Sequence, residues 1–385
     1  MSWDSIRFGN LYSEDSRNGL TKPSKVRGSG YKMINMGELF ANDRIYDIPM
    51  ELVPLKDSEK KNAKVEKGDL LFARQSLVLE GAGKCCIVMD VSSLTVFESH
   101  LIRVRLDKTK ANPLFYYYYF KSPFSPVSTI VSQCAQAGIR GSDLQELDVS
   151  FPPLPVQDRI ASILTKYDEL IENNQKQIKL LEEAAQRIYK EWFVDLRFPG
   201  HENTEILVGI PAGWRIEEVG KLIGKVPRTT QIMTANYHKS GKIPIIDQSK
   251  TFIAGYTDDE TALVDLGEPV IVFGDHTRIL KYIQFPFAKG ADGTQLIVSA
   301  NKNMPQSLLY CGLVNIDLSN YHYARHFKYL KAESLLVPII DLAKQFDEYA
   351  GDLFKRIQVL RDEISSATEA RDRLLPKLMS GEIEL

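Results

Sequence analysis

A chain of 385 residues with 44% hydrophobic content holds enough apolar material for substantial cores, and its length predicts two or three domains. A formal charge of −2 argues against a protein that coats nucleic acid nonspecifically, because phosphate binding depends on Lys and Arg, but it leaves local basic faces open. No apolar run approaches the ~18 residues of a membrane helix, and the opening Met-Ser-Trp-Asp-Ser-Ile-Arg lacks the regions of a signal peptide, so a soluble cytoplasmic protein is expected.

Residues 1–151 read as a mixed domain of short β-branched runs separated by turn residues. The basic, glycine-rich stretch 24–31 is a loop. At 65–74 a turn at Lys67, Gly68 and Asp69 precedes a buried strand that delivers Arg74, Gln75 and Ser76 at its far end. A guanidinium and an amide at a strand end suit the reading of base edges. Strands at 84–89 and 100–106 follow, and the aromatic run 115–120 is a packed element, since continuous aromatics point in all directions. The glycine-bracketed loop 136–142 holds Arg140, a candidate phosphate or guanine ligand.

Residues 152–197 form a long spacer helix. It starts at the prolines Pro152, Pro153 and Pro155, runs from Val156 without Pro or Gly to about residue 195, and carries two interleaved seven-residue series. One is Ile160, Tyr167, Asn174, Leu181 and Ile188; the other is Leu164, Ile171, Ile178, Ala185 and Trp192. Their spacing, alternately four and three, is the seam of a helix that packs on another helix. Shifting the sequence by 186 sets Pro152 on Pro338 and the seam on Phe346, Leu353, Leu360, Ala367 and Leu374, with Ala350, Ile357, Ile364, Arg371 and Leu378 as the second series. The partner helix is thus predicted at 337–385 of the same chain. Trp3, Gly9 and Leu11 also recur as Trp214, Gly220 and Leu222, an offset of 211. The chain reads as an internal duplication, with a second domain at 198–336. That domain has strands at 242–247 and 269–273, a polar turn with His276, Thr277, Arg278 and Lys281, and a loop at 288–295 ending near Thr294. His276 has no companions at metal spacing, and its neighbours suit hydrogen bonding to DNA.

Fragments that imitate enzyme motifs fail on inspection. Asn112-Pro-Leu-Phe lacks the second proline of an amino-methyltransferase signature, and Gly81-Ala-Gly-Lys lacks P-loop spacing. Asp247-Gln-Ser-Lys lacks a second carboxylate for a nuclease metal. Cys85, Cys86, Cys134 and Cys311 lack CxxC spacing and read as reduced, mostly buried thiols. Binding is favoured over catalysis. A coiled-coil scaffold that binds only protein, and a self-contained nuclease or methyltransferase, are the other two classes. Sequence-selective DNA retention with a methyltransferase partner separates the first reading from both.

The ordered set of Gly68-Asp-Leu-Leu-Phe-Ala-Arg, Pro152-Pro-Leu-Pro-Val-Gln, Phe273-Gly-Asp-His-Thr-Arg, Gly290-Ala-Asp-Gly-Thr and the tail from Leu374 to Ile383 resembles the specificity subunit of type I restriction-modification systems across essentially the whole chain. The resemblance implies an α+β fold with two mixed α/β target-recognition domains in tandem, separated and joined by two long helices forming an antiparallel coiled coil. Each domain then reads one half of a split double-stranded DNA target. Two methyltransferase subunits, holding S-adenosylmethionine that this chain itself does not bind, dock on the helices, with Trp192 and Phe193 as candidate anchors, and restriction/translocase subunits join them. The sequence departs from the pattern at a degenerate second helix start, Val337-Pro-Ile-Ile-Asp, and at Arg371, which interrupts the second seam.

Overall fold

The computed structural model describes residues 3–133, 137–321 and 325–384; Cys134 and Gln136 lie outside them. The chain divides into two compact units, Met1–Glu172 with Ser365–Leu385, and Asn173–Ile364. Both cuts fall inside the long helices, Leu154–Tyr189 and Ile340–Met379, so each unit owns a stretch of each helix and the helices are not separate domains at 152–197 and 337–385.

In the first unit a five-stranded sheet runs in the order Tyr12–Asn18, Leu101–Leu106, Leu70–Ala73, Cys85–Val88 and Arg44–Ile45. Its central strands are buried on both faces, consistent with apolar runs lacking period-two alternation. The aromatic run folds as the helix Pro113–Lys121 in the core: Asn112 caps it by accepting from the amides of Leu114 and Phe115, which is the structural role of the Asn-Pro-Leu-Phe fragment. Gln157 explains the proline-rich helix start. It is fully buried, its carbonyl accepts from the Asn112 amide at 2.8 Å, and its Nε2 donates to the Pro152 carbonyl at 2.8 Å.

The second unit repeats the topology at the predicted offsets. In the first, Ser5–Arg7 pairs antiparallel with Asp148–Ser150, Ser5 opposite Ser150. In the second, Arg215–Glu218 pairs with Ser334–Val337, Ile216 opposite Leu336. Residues 5 and 216 differ by 211, and residues 150 and 336 by 186, so both shifts read from the sequence coincide in one strand pair. The strand order Leu280–Ile283, Val270–Gly274, Thr294–Ile297 mirrors the centre of the first sheet. Where the first unit has Gln157, the second has the buried Ala343, and Asn303 supplies the missing donor, its Nδ2 meeting the Pro338 carbonyl at 2.9 Å. The degenerate second helix start is a change of partner.

Within each unit the helix segments pair antiparallel. In the first, Ile160 and Leu164 share a core with Leu378 and Met379, with Leu374 packed against it. Arg371, the residue that interrupts the seam, reaches Asp168 at 2.6 Å. Asp168 also accepts from the Tyr118 hydroxyl at 2.6 Å and lies 3.7 Å from Arg44, which in turn meets Glu172 at 3.3 Å. Carboxylates around Arg371 raise its pKa despite burial, and burial beside Asp168 raises that of Tyr118. In the second unit Ala185 and Tyr189 pack with Phe346, Ala350 and Ile357, and the seam residue Asn174 donates to Glu363 at 2.9 Å. A buried amide at such a position favours one register over its slips. Ile171 and Leu360 are buried, while Tyr167, Ile178, Leu181, Ile188, Leu353, Ile364 and Leu374 are half-buried. Phe193 belongs to the second core, against Trp214 and Phe346, so it is unavailable as a partner anchor; Trp192 is half-buried against Phe346 and Tyr349.

No helix among the described residues is long and apolar enough to cross a membrane. Cys85, Cys86 and Cys311 are buried and free, and burial raises the pKa of each thiol.

Candidate nucleic-acid interface

Sheet register decides which loop residues of the first unit meet. Ala73 lies opposite Leu101, and Ile102 opposite Asn18, so the ends of two strands and the start of a third share one edge. That edge carries Arg17 and Asn18, then Arg74, then His100. The Arg74 amide donates to the His100 carbonyl at 2.8 Å, and the Ile139 amide donates to the Arg74 carbonyl at 2.9 Å. Ala137–Gly138 pairs with Gln75–Ser76, which brings the Arg140 loop alongside the strand-end triplet. Gly141 sits where a Cβ would stand 2.8 Å from the Ser16 hydroxyl, so the loop needs glycine there to close on the edge.

Five arginines near this edge fall into two groups. Arg103 and Arg105, within the strand Leu101–Leu106, are paired: Arg103 with Glu14 at 3.0 Å, and Arg105 with Asp69 and Glu14 at 2.7 Å each. Arg17 and Arg140 are exposed and Arg74 half-exposed, and among the described residues none of the three makes an ion pair. Arg74 makes one long contact, 3.4 Å, to the Ser99 carbonyl. The first group holds the sheet together; the second presents charge to solvent. Arg17 was missed from the sequence because its strand, Tyr12–Asn18, is polar after Tyr12, and only pairing with Leu101–Leu106 carries it to this edge. In the glycine-rich stretch 24–31, Arg27 is bound to Glu51 at 2.6 Å and to the Lys22 carbonyl at 2.8 Å, which makes that loop part of the framework.

The second unit builds its edge around Gln248. The Thr277 hydroxyl donates to the Gln248 carbonyl at 2.7 Å, the His276 amide to its side-chain oxygen at 3.1 Å, and its Nε2 to the Asp292 carbonyl at 2.7 Å. One amide thereby ties loop 274–279 to loop 288–295. Asp275 is buried and accepts from the Phe327 amide at 2.7 Å, leaving His276, Thr277 and Arg278 exposed. Arg278 adopts φ 62°, a strained conformation for a side-chain-bearing residue, and donates to the Leu318 carbonyl at 3.0 Å. Gln248 lies in the fragment Asp247-Gln-Ser-Lys that failed as a nuclease motif; its place after a strand was the available signal.

Two expected DNA ligands are corrected. Lys281 is 5% exposed, with its ammonium on the Thr251 carbonyl at 2.6 Å and Asp247 at 3.9 Å. Thr294 is 1% exposed and donates to the Ala291 carbonyl at 3.0 Å, closing its own turn. Both lie in sheet strands, where alternate side chains must point inward. Burial pushes the Lys281 pKa down to about 8, from 10.5. Above pH 8 the folded chain therefore releases a proton that the unfolded chain keeps, and this group's contribution to stability rises by ~1.4 kcal/mol per pH unit. Below pH 8 its penalty is complete. Lys281→Met is expected to abolish that rise and to leave the salt dependence of DNA binding unchanged. Urea denaturation of both proteins between pH 8 and about 9.5 checks the first expectation, and a parallel alkaline profile for the variant would refute it.

Two units of one topology, each ending in a loop edge of exposed donors, define a tandem recognition protein of the α+β class. Residues 12–183 match the family described as "Type I restriction modification DNA specificity domain". The chain is 26% identical to the type I restriction enzyme MjaIX specificity subunit of Methanocaldococcus jannaschii, over 71% of this chain and 69% of that one. It is 27% identical to the EcoKI specificity subunit of Escherichia coli K12, over 43% of this chain and 35% of that one. Its fold is similar to the crystal structure of a type I restriction-modification S subunit from M. genitalium, with a TM-score of 0.59 at 18% identity, covering 98% of this chain and 96% of that one. The chain is similar to type I restriction enzyme specificity subunits, and its residues 12–183 match their DNA specificity domain.

Proposed function

We propose that this chain is the sequence-specific DNA-binding subunit of a type I restriction-modification complex and supplies recognition, with no chemistry of its own. The observation that carries this reading is the grouping of three arginines without an ion pair among the described residues, Arg17, Arg74 and Arg140, with Gln75 and Ser76 on one edge of a fold that matches the specificity-domain family. Guanidinium groups fix the register on phosphates and guanine, and an amide and a hydroxyl read adenine and other base edges. The second unit presents His276, Thr277 and Arg278 at the corresponding strand end. Two different readers in one chain specify an asymmetric, bipartite target.

In this reading the paired helices set the distance between half-sites and offer their outer faces to two methyltransferase subunits, with restriction and translocase subunits joining in the cytoplasm. The methyltransferases hold S-adenosylmethionine and must extrude the target adenine, because its amino group is unreachable inside the stack. A helix of 36 residues spans ~54 Å, more than one DNA turn of ~34 Å.

The test is to map methylated adenines in a cell carrying this chain and its methyltransferase, then repeat the mapping after inserting four residues into each long helix. Four residues add ~6 Å and just over one full helical turn, so the seam returns close to its original face. The expected result is an unchanged pair of half-sites with a spacer longer by roughly two base pairs. New bases in either half-site would show that the helices are not the ruler, and methylation with no bipartite motif would refute the recognition role.

A further inference from the structure

The Gln75–Ser76 strand of the first unit runs directly into Leu77, Val78 and Leu79, three consecutive apolar residues on the surface. Leu77 is 89% exposed and Val78 59%. The tip is built: the Val78 amide donates to the Ser76 hydroxyl at 3.2 Å, and Leu79–Gly81 forms a 3-10 turn. Gly81 passes so close over Ser76 that a Cβ there would lie 2.2 Å from its hydroxyl, so the turn needs glycine there to close on Ser76. Beside the tip lies an open groove of about 430 Å³, with Met36, Phe40 and Val78 as its apolar wall and Gln75, Ser76 and His100 at its polar rim.

Charge indicates what covers this surface. Arg17, Arg74 and Arg140 surround the same edge without carboxylate partners among the described residues, so the complementary ligand is a polyanion. Within duplex DNA the apolar group displayed in the major groove is the 5-methyl of thymine. We propose that the first unit reads a thymine in its half-site by seating that methyl group against Leu77 and Val78, next to the Gln75 amide. The inference deepens the recognition role proposed above and rests on it.

The test uses the full chain assembled with its methyltransferase subunits. Binding sites are selected from random duplexes with the wild type, with Leu77→Ser and with Val78→Thr; the selected thymines of this half-site are then replaced one at a time by deoxyuridine, which lacks the methyl. The wild type is expected to lose about fourfold in affinity at one such position, the weight of one buried methyl group. Leu77→Ser is expected to accept deoxyuridine and thymine equally there, and to keep the other half-site unchanged, which also reports that the variant is folded. The proposal falls if the wild type binds deoxyuridine as well as thymine at every position, or if Leu77→Ser selects the wild-type motif undiminished. It also falls if the variant keeps its motif but releases the methyltransferase, which would make the tip a protein contact. A wild type that selects no sequence overturns the recognition role itself, and this inference with it.

Discussion

Replacing Arg17, Arg74 and Arg140 together by alanine is expected to remove most of the first unit's grip on DNA. Each guanidinium that meets a phosphate releases a counterion, so three such losses flatten the slope of log affinity against log salt by ~2.7. Contacts that go to guanine instead cost ~1 to 3 kcal/mol each and relax the base preference at that position. The three side chains leave the core, and none makes an ion pair among the described residues, so stability should change little. Salt titrations of the assembled complex on its selected duplex, read beside Lys281→Met as a buried-lysine control, measure the effect. A slope that matches the wild type would move the DNA contact off this edge.

The second large effect is expected at Asp168→Ala, on stability instead of binding. The Asp168 side chain is 7% exposed and stands between Arg371 at 2.6 Å and Arg44 at 3.7 Å, with the Tyr118 hydroxyl completing its shell. Removing the carboxylate leaves two guanidinium groups short of a partner, the Arg44 side chain only 3% exposed. Breaking a buried pair in this way costs ~3 to 5 kcal/mol; the lower end applies here because Glu172 and Asp372 still face the two arginines. Asp168→Leu combined with Arg371→Leu should recover part of the loss, because it makes the seam apolar and removes one of the two guanidinium groups, leaving Arg44 with Glu172. Thermal unfolding of the three proteins decides the matter, and an Asp168→Ala protein as stable as wild type would show the cluster to be a solvated surface pair.

Long-range repetition was legible in the sequence. Seam positions such as Ile160, Leu164, Phe346 and Leu360 follow from a seven-residue period that any packed helix must obey, and they are buried as that period requires. The offsets of 211 and 186 match a strand pair residue by residue, Ser5 with Ser150 and Ile216 with Leu336. Arg371 looked like a defect because the period counts apolar positions only; Asp168, which compensates it, lies outside both series and is 203 residues away. Arg74, Gln75 and Arg140 could be nominated because a strand end or a glycine-bracketed loop is a local feature. Lys281 and Thr294 were misplaced because burial in a strand depends on which neighbours cover it, and Arg17 was overlooked for the same reason.

The sequence by itself therefore determined the duplication, the paired helices, the family resemblance and the class of loop that faces solvent, since each is carried by a period, an offset or an ordered run of motifs along the chain. Tertiary structure alone decided which cations are free. Arg103 and Arg17 lie opposite each other in one strand pair, yet one is held by Glu14 while the other remains unpaired among the described residues. That division is set by sheet register and by carboxylates tens of residues away, and a charge is available for DNA only where the fold has left it without a partner.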